Sequence, residues 1–406
     1  MVLALALLLT MFVTPGRALA AESDGNTVTG NLNANVSWTY YEDSKKLVIS
    51  GKGDMYEDSD VEGFRSMKVS YGDDYDEDVE WMNMEAEEIV IEDRITSIMD
   101  SAFRTFSNAQ KIHIGADVNK IGSNAFQCGY SGCYLTEITV DKKNKAFVSD
   151  GICLYNAAMT KLVRCVGYDE SRVIRVPSGV KAIAQGAFFG TTVKKVILPT
   201  TLTKISSYAF KAASVDSIVL PDSIKEINHS FDEMWSLRKI FVGRNVQKFS
   251  GKIASDRGES TRIYFSGDMP TGFNINAYGK HDHETVVYYP KNNKTWNVKN
   301  TGTATLKPWA FYTPAISSLS NKAAGKLTVK WSIRSAATGY QIQYADNSKF
   351  TGKKTLTVKD AATLQKTISG LKKGKTCYVR MRAYKRVNAT NLFTDWSAVK
   401  KLTISK

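Results

Sequence analysis

The chain has 406 residues, of which 43% are hydrophobic and 11% are aromatic. It carries 54 basic and 40 acidic side chains, with 28 glycines and only 8 prolines. This composition excludes a wholly disordered, collagen-like or coiled-coil protein, and the length is sufficient for two or three hydrophobic cores. We therefore expect a globular protein with several domains.

Residues 1–21 have the pattern of a secretory signal peptide. An apolar run covers Val2–Val13, Pro15 breaks it, and the small residues Ala18 and Ala20 suit cleavage. Twelve apolar residues form a helix of about 18 Å, which is too short for the roughly 30 Å hydrocarbon core of a bilayer. The sequence therefore predicts an extracellular protein, secreted or loosely associated with the cell surface, with no membrane insertion.

The segment that follows is strongly acidic. Residues 22 to 93 contain 20 acidic and 5 basic side chains. Four of the acids reproduce positions one, three, five and twelve of a calcium loop, but Val79 stands at position six, where such loops need glycine for a sharp turn. The sequence favours a solvated acidic loop over a calcium site. The weak calcium candidates are Asp74, Asp76, Asp78 and Glu85.

A phrase of the form Ile-x-x-Ile-x-x-x-Ala-Phe recurs through the middle of the chain. Its phenylalanines, including that of a decayed copy without the alanine, are 23, 62, 22 and 21 residues apart. A period near 22 indicates a solenoid of stacked units, and the long gap indicates an insertion. The phenylalanines are Phe103, Phe126, Phe188, Phe210 and Phe231.

Short alternating strands separate these phrases, from Ile89–Ile91 to Val287–Tyr289. Each unit is then one strand, a turn and a return segment that carries the Ala-Phe pair. Because one unit cannot cover its own apolar face, neighbouring units must stack, with the phenylalanines forming a spine beside a ladder of isoleucines.

These phrases resemble the BspA-type leucine-rich repeat family of bacterial surface proteins over about residues 28–310. Residues 147–165 look like the hairpin that interrupts such arrays, and Leu47–Met55 resembles the β-rich entry segment. The resemblance implies adhesion or attachment to a surface.

The last 90 or so residues change to alternating strands rich in Thr, Lys and Tyr. Trp331 is the predicted core tryptophan, and Asp395-Trp396-Ser397 looks like a closing motif. This segment resembles a fibronectin type III domain, which implies a spacer or binding module and no catalysis.

The predicted fold is therefore mainly β. It combines a leucine-rich repeat solenoid, with a strand and a short return segment in each repeat, and a β-sandwich of the fibronectin type III kind. The predicted boundaries are 1–21 for the signal peptide, 22–88 for an acidic β-rich cap, 89–312 for the repeats with a hairpin insertion near 147–165, and 313–406 for the sandwich.

The five cysteines leave at least one free thiol, because their number is odd. Cys153 and Cys165 flank the predicted hairpin in positions that allow a bridge. Their neighbours alternate with apolar core positions, however, which favours buried thiols over a disulfide. The pairing of the cysteines is otherwise open.

Candidate ligand-binding residues come from the outward side chains of consecutive strands. Strands about 4.8 Å apart place three aromatic rings in a strip near 10 Å long beside two cations, a combination that suits a sugar ring or an acidic loop. The alternative is a packing shelf for Trp296 and Trp309. The strip consists of Phe241, Tyr264, Tyr288, Lys239 and Arg262.

Charge and motifs define the expected partners. Residues 314 to 406 carry 19 basic and 3 acidic side chains, so an exported chain is predicted to meet a protein or glycan ligand, with an anionic surface polymer among the candidates, and no nucleic acid. A solvated basic surface is the open alternative. The sequence contains no nucleophile elbow, phosphate loop or dinucleotide fingerprint, which predicts no enzyme activity and no cofactor.

The predicted function is that of a secreted or surface-associated binding protein, acting in adhesion or in protein or glycan interaction through its repeats. The alternative is an auxiliary polysaccharide-binding component of an extracellular glycan-degrading system.

Overall fold

The computed structural model describes residues 22–23, 27–55, 85–127 except 105, 134–251 except 235, 253, 260–274, 285–297 except 292, and 304–405 except 333, 335, 388 and 389. These ranges form strands and one short 3-10 turn, Lys294–Trp296, and contain no helix long and apolar enough to cross a membrane. The predicted signal peptide lies outside them. The chain divides into two compact units, residues 1–168 and 169–406.

The first unit opens with antiparallel strands and continues as stacked coils. Its strands, in chain order, are β1 (Glu22–Ser23), β2 (Thr27–Asn31), β3 (Val36–Tyr41), β4 (Lys46–Gly51), β5 (Gly53–Asp54), β6 (Glu88–Ile91), β7 (Ile95–Ile98), β8 (Lys111–Ile114), β9 (Lys120–Ile121), β10 (Glu137–Val140), β11 (Phe147–Ser149), β12 (Cys153–Asn156) and β13 (Lys161–Cys165). One sheet has the order β1-β2-β3-β4-β6-β8-β10, antiparallel as far as β4 and parallel beyond it. The return segments form a second parallel sheet, β5-β7-β9.

Register explains why this sheet has a continuous core. Ile89 lies beside Ile112, which lies beside Ile138, and all three are at most 2% exposed. The alternation of a strand sends every second side chain to the same face, so identical positions in successive coils meet inside. The predicted isoleucine ladder is confirmed.

The predicted phenylalanine spine is also confirmed. Phe103 and Phe126 stack at 6.0 Å between ring centroids with an angle of 5°, and in the second unit Phe188 and Phe210 stack at 4.5 Å. Phe231, in the copy that lacks its alanine, stacks on Phe210 at 5.2 Å. Ser230 replaces the alanine there, is fully buried, and donates its hydroxyl to the carbonyl of Ile205.

The residue before each alanine turns the chain into the return segment. It has a positive φ in every described copy, for example 56° at Ser101, 64° at Gly186 and 57° at Tyr208. This left-handed conformation is unfavourable for residues other than glycine, so the turn is held by the ladder of backbone hydrogen bonds between coils. Phe103 N–H, for instance, donates to the carbonyl of Ala125 at 2.9 Å.

The insertion after β10 is an antiparallel meander of β11, β12 and β13. Cys153 and Cys165 face each other directly on β12 and β13, with their Cα atoms 4.1 Å apart, and form a disulfide. The preference for buried thiols at these two positions was therefore wrong. Alternation correctly placed both side chains on the inner face, but the pairing register that makes them direct neighbours was not visible in the sequence.

The second unit contains further coils and then two antiparallel sheets. Its strands are β14 (Tyr168–Arg175), β15 (Ala182–Ile183), β16 (Thr192–Ile197), β17 (Lys204–Ile205), β18 (Ser217–Val219), β19 (Glu226–Asn228), β20 (Lys239–Val242), β21 (Lys248–Ser250), β22 (Arg262–Phe265), β23 (Val286–Pro290), β24 (Thr305–Trp309), β25 (Ile316–Ala323), β26 (Lys326–Trp331), β27 (Gly339–Ala345), β28 (Lys354–Val358), β29 (Gln365–Ile368), β30 (Thr376–Val387), β31 (Thr390–Phe393) and β32 (Lys400–Thr403). The strands β18-β20-β22-β23-β24 form a parallel sheet, and β15-β17 and β19-β21 are return pairs.

The C-terminal strands form one sheet in the order β25-β26-β29 and another in the order β28-β27-β30-β31, with β32 also on β30. Both contribute to one core, in which Trp331 is 3% exposed and contacts the ring of Tyr340 edge to face at 5.4 Å. The prediction that Trp331 is a core residue is confirmed. Cys377 is also buried in this core as a free thiol.

Candidate functional site

The predicted aromatic strip lies on the parallel sheet of the second unit. Register places Phe241 beside Tyr264 and Tyr264 beside Tyr288, with ring centroids 4.6 and 4.5 Å apart and the rings within 10° of parallel. The neighbouring column brings Lys239 next to Arg262, and both are exposed. The five residues are therefore neighbours on one face of the sheet.

Part of this face is covered. Trp309 contacts Phe241 and Tyr264, with ring centroids 6.4 and 5.1 Å away, and Phe241 is only 6% exposed. Phe241 and Trp309 belong to the same hydrophobic cluster as the C-terminal sheets, and Tyr264 and Tyr288 pack against it half-buried. Burial raises the pKa of the Tyr264 hydroxyl, with the neighbouring Tyr288 acting in the same direction. Ligand binding by the strip stays a prediction.

Trp296, the second tryptophan expected to pack on the aromatic strip, does not lie on that face of the sheet. Trp296 packs against Phe265, Phe273 and Tyr289, and its indole N–H donates to the carbonyl of Gly267. Phe265 is the neighbour of Tyr264 along β22, so its side chain lies on the opposite face of the sheet. The two tryptophans therefore bury against different faces.

Most of the calcium candidate cannot be placed, because Asp74, Asp76 and Asp78 lie outside the described residues. Glu85 is exposed and its carboxylate lies 3.6 Å from the ammonium group of Lys45. Within the described ranges, no group of three or more His, Cys, Asp or Glu side chains is arranged to hold a metal ion.

One arginine connects the repeats to the C-terminal sheets. The Nε of Arg244 lies 3.2 Å from a carboxylate oxygen of Asp222, and its Nη1 donates to the carbonyl of Thr394 at 2.7 Å. The same Nη1 lies 3.3 Å from Asp395. Burial raises the pKa of Asp222, while the guanidinium of Arg244 acts in the opposite direction.

Sequence reasoning missed the Arg244 contacts. The spacing of 22 residues between Asp222 and Arg244 equals one coil, so the repeat period indicates that they lie side by side. The contacts of Arg244 with Thr394 and Asp395, about 150 residues further on, have no signal in the sequence.

The C-terminal sheets carry a ladder of alternating cations and rings. The guanidinium carbon of Arg380 lies 4.2 Å from the ring centroid of Phe350, and that of Arg382 lies 3.7 Å from Phe393. Trp396 contacts both arginines, at 4.8 and 4.5 Å. Burial lowers the pKa of Arg382 to about 10, aided by the nearby Arg244. The sequence had identified only Trp396, as part of a closing motif.

Four exposed lysines lie on the return strands of the second unit or directly before them. Lys204 lies opposite Ala182, and Lys248 lies opposite Glu226, on successive return pairs. Lys181 and Lys225 directly precede Ala182 and Glu226 along the chain. We call the four exposed residues Lys181, Lys204, Lys225 and Lys248 the lysine row.

Residues 77–156 and 168–271 match a family described as BspA type Leucine rich repeat region, in six copies. Over these residues the repeats are similar to BspA-type leucine-rich repeats. The matched segments include the phenylalanine spine, and the break between them falls on the meander that contains the disulfide. No curated protein matches the chain.

Several solved structures are similar to the chain at low identity. A leucine-rich repeat protein from Eubacterium ventriosum is 16% identical, with 72% of this chain and 88% of that chain covered and a TM-score of 0.29. A leucine rich cell surface protein from Faecalibacterium prausnitzii is 21% identical, with 54% and 62% covered and a TM-score of 0.37. The pneumococcal vaccine antigen PcpA is 13% identical, with 72% and 98% covered and a TM-score of 0.34.

Proposed function

We propose that this protein is a secreted or loosely surface-associated binding protein that acts in adhesion, by recognising an anionic glycan or surface polymer without catalysis. The lysine row carries the proposal. Lys204 and Lys248 hold the register position that Ala182 and the exposed Glu226 hold in their partner coils, and Lys181 and Lys225 lie one residue earlier. Each of four successive coils therefore presents one exposed lysine at one of two adjacent positions. A polymer with repeated anionic groups is the ligand that such a series of cations fits.

The burial of apolar side chains on the return strands supports an outward orientation of the four lysines. Ile183, Ile205, Ile227 and Phe249 are each at most 5% exposed, whereas the lysine beside each of them in the sequence, or one residue further away, is exposed. The coils thus keep their apolar side chains inside and direct the cations outward. Because the backbone ladder fixes the coils, little ordering entropy is lost when a polymer binds.

Export and domain organisation are part of the proposal. The pattern of residues 1–21 supports removal of a signal peptide, and the disulfide between Cys153 and Cys165 supports an oxidising compartment. We propose that residues 313–406 form a fibronectin type III domain. Its support is the pair of antiparallel sheets around Trp331, with the cation and ring ladder at Trp396.

A binding screen tests the proposal. The chain from residue 22 onward is applied to an array of sulfated, uronic-acid-containing and phosphate-containing polymers and of matrix proteins. A variant with all four residues of the lysine row changed to Gln is expected to lose at least tenfold in affinity for the bound polymer. The matched control changes four exposed lysines of the C-terminal strands and of a loop, Lys326, Lys330, Lys366 and Lys359, to Gln and removes the same charge. Equal losses in both variants would contradict binding at the row.

A further inference from the structure

A groove lies where the repeat coils meet the C-terminal sheets. We call it the joint groove; it has a volume of about 590 Å³. Three of its walls are the loops that follow β20, β22 and β23, which are the carboxyl ends of adjacent parallel strands. The remaining walls are residues 311–313 and Thr394–Asp395. Cavities of 300–1,000 Å³ are the usual size of small-ligand sites.

The walls of the joint groove are held in place by hydrogen bonds that do not involve a ligand. Arg244 joins the first loop to Thr394, as described above. In the second loop, the carboxylate of Asp268 accepts from the side-chain amide of Asn293 at 2.9 Å, and Met269 N–H donates to the hydroxyl of Thr295 at 3.0 Å. The groove is therefore preformed, which lowers the entropic cost of binding.

The unpaired hydroxyl of Ser266 indicates that the groove binds a ligand. It lines the groove, its residue is 8% exposed, and its hydroxyl is buried with no hydrogen-bond partner among the described residues. A buried hydroxyl without a partner is unfavourable, and such groups in native proteins call for a specific explanation. Because Ser266 lines the groove, a rotation of its side chain would bring the hydroxyl to the groove surface, where a hydroxyl group of a ligand would provide the missing hydrogen bond.

The chemistry of the walls selects the kind of ligand. The charged groups are balanced, since Arg244 and Lys291 line the groove together with Asp268 and Asp395. Asn245 and Gln247 add amides that both donate and accept. A mixture of donors and acceptors without net charge suits hydroxyl groups, whereas a strongly anionic ligand would meet two carboxylates.

An aromatic surface completes the groove. Tyr312 lines it, and its ring is held by the guanidinium of Arg334, whose carbon lies 4.1 Å from the ring centroid. Met269 and Pro290 add apolar surface nearby. Sugar rings present C–H groups on their faces and hydroxyls at their edges, which matches an apolar wall surrounded by amides and a serine.

We infer that the joint groove binds a neutral sugar unit, as part of an oligosaccharide or at the end of a glycan chain. This site shares no residue with the lysine row and differs from it in charge, although Gln247 directly precedes Lys248 in the chain. It therefore goes beyond the proposed function, and either site can be present without the other.

The test uses neutral oligosaccharides of two to six hexose or N-acetylhexosamine units, screened on an array and then measured by titration calorimetry. The wild-type chain is expected to bind at least one of them. Ser266→Ala and Gln247→Ala are each expected to weaken that binding at least fivefold. The control Ser317→Ala changes an exposed residue of β25 and is expected to leave the binding unchanged.

Two further measurements distinguish a lost sugar contact in the groove from a loss of folding and from an effect of the lysine row. Ser266→Ala removes a hydroxyl that has no partner in the free protein, so its melting temperature is expected to equal or exceed that of the wild type while its sugar binding falls. The variant without the lysine row is expected to keep full affinity for the neutral sugar. Absence of binding to every neutral oligosaccharide at millimolar concentration, or equal binding by wild type and Ser266→Ala, would overturn the inference.

Discussion

At the scale of single residues, the stacked phenylalanines hold each coil to the next. Phe210 contacts Phe188 on one side and Phe231 on the other and is fully buried. We predict that Phe210→Ala lowers the free energy of unfolding by about 3–5 kcal/mol, because it leaves a cavity between two coils. Tyr168→Ala is the control, since Tyr168 is 58% exposed and its change is expected to cost about 0.5 kcal/mol or less. Urea denaturation measures both, and equal losses would contradict the prediction.

The left-handed position before each alanine leads to a second prediction. Gly186 occupies it in one coil with a φ of 64°, and Ser101 occupies it in another with a φ of 56°. A side chain at such a φ costs about 1–2 kcal/mol, so Gly186→Ala is expected to lower the melting temperature and Ser101→Gly to raise it slightly. Calorimetry of the two variants measures the opposite signs, and shifts of the same sign would contradict the conformational explanation.

The free thiol of Cys377 is predicted to be unreactive in the folded protein. Burial raises its pKa to about 11, so at pH 8 the folded chain holds almost no thiolate there. Since burial raises the pKa of Cys377 in the folded state from the ordinary value of 9.0 to about 11, this thiol leaves stability unchanged below about pH 9. Between about pH 9 and 11 stability falls, because the unfolded chain releases the proton that the folded chain retains. Alkylation followed by mass spectrometry of the peptide that contains Cys377 is expected to show modification only after unfolding. Rapid labelling of the native chain at pH 8 would contradict this burial.

At the scale of elements, the meander β11–β13 depends on its disulfide. The bridge closes a segment with a sequence separation of 12, and loops of this size gain about 3 kcal/mol from cross-linking. Cys153→Ser with Cys165→Ser is therefore expected to lower stability by about 2–4 kcal/mol, and a reducing agent is expected to do the same to the wild type but not to the variant. Melting curves with and without the reductant measure this. A variant as stable as the oxidised wild type would contradict it.

The sequence predicted the strands and return segments of the repeats well. It predicted the contacts between distant segments less well. The strand containing Ile112 and the return segment containing Phe126 repeat a local pattern, and local pattern is what a single sequence contains. The disulfide depends on the register between β12 and β13. The burial of Phe241 depends on Trp309 and the C-terminal sheets, which belong to a later part of the chain. Contacts of this kind follow from tertiary packing and carry no local signal.

At the scale of the whole molecule, the interior of the repeats serves to stack the coils, and the outer faces are where we propose that a ligand binds. Buried Ile and Phe side chains join successive coils, and the exposed lysine row lies on the outside of the same coils. We expect the basic excess of the C-terminal residues to add a long-range attraction for polyanions, which would speed encounter without selecting a ligand.

The salt dependence of polymer binding tests this account most directly. Affinity for the polyanion found by the array is measured for the wild type and the lysine-row variant as ionic strength rises from about 0.05 M to 0.3 M, where the Debye length falls below about 8 Å. The wild type is expected to lose affinity steeply, and the variant to start weaker and lose much less. An identical slope for both proteins would contradict the claim that the repeat surface recognises the ligand through the lysine row.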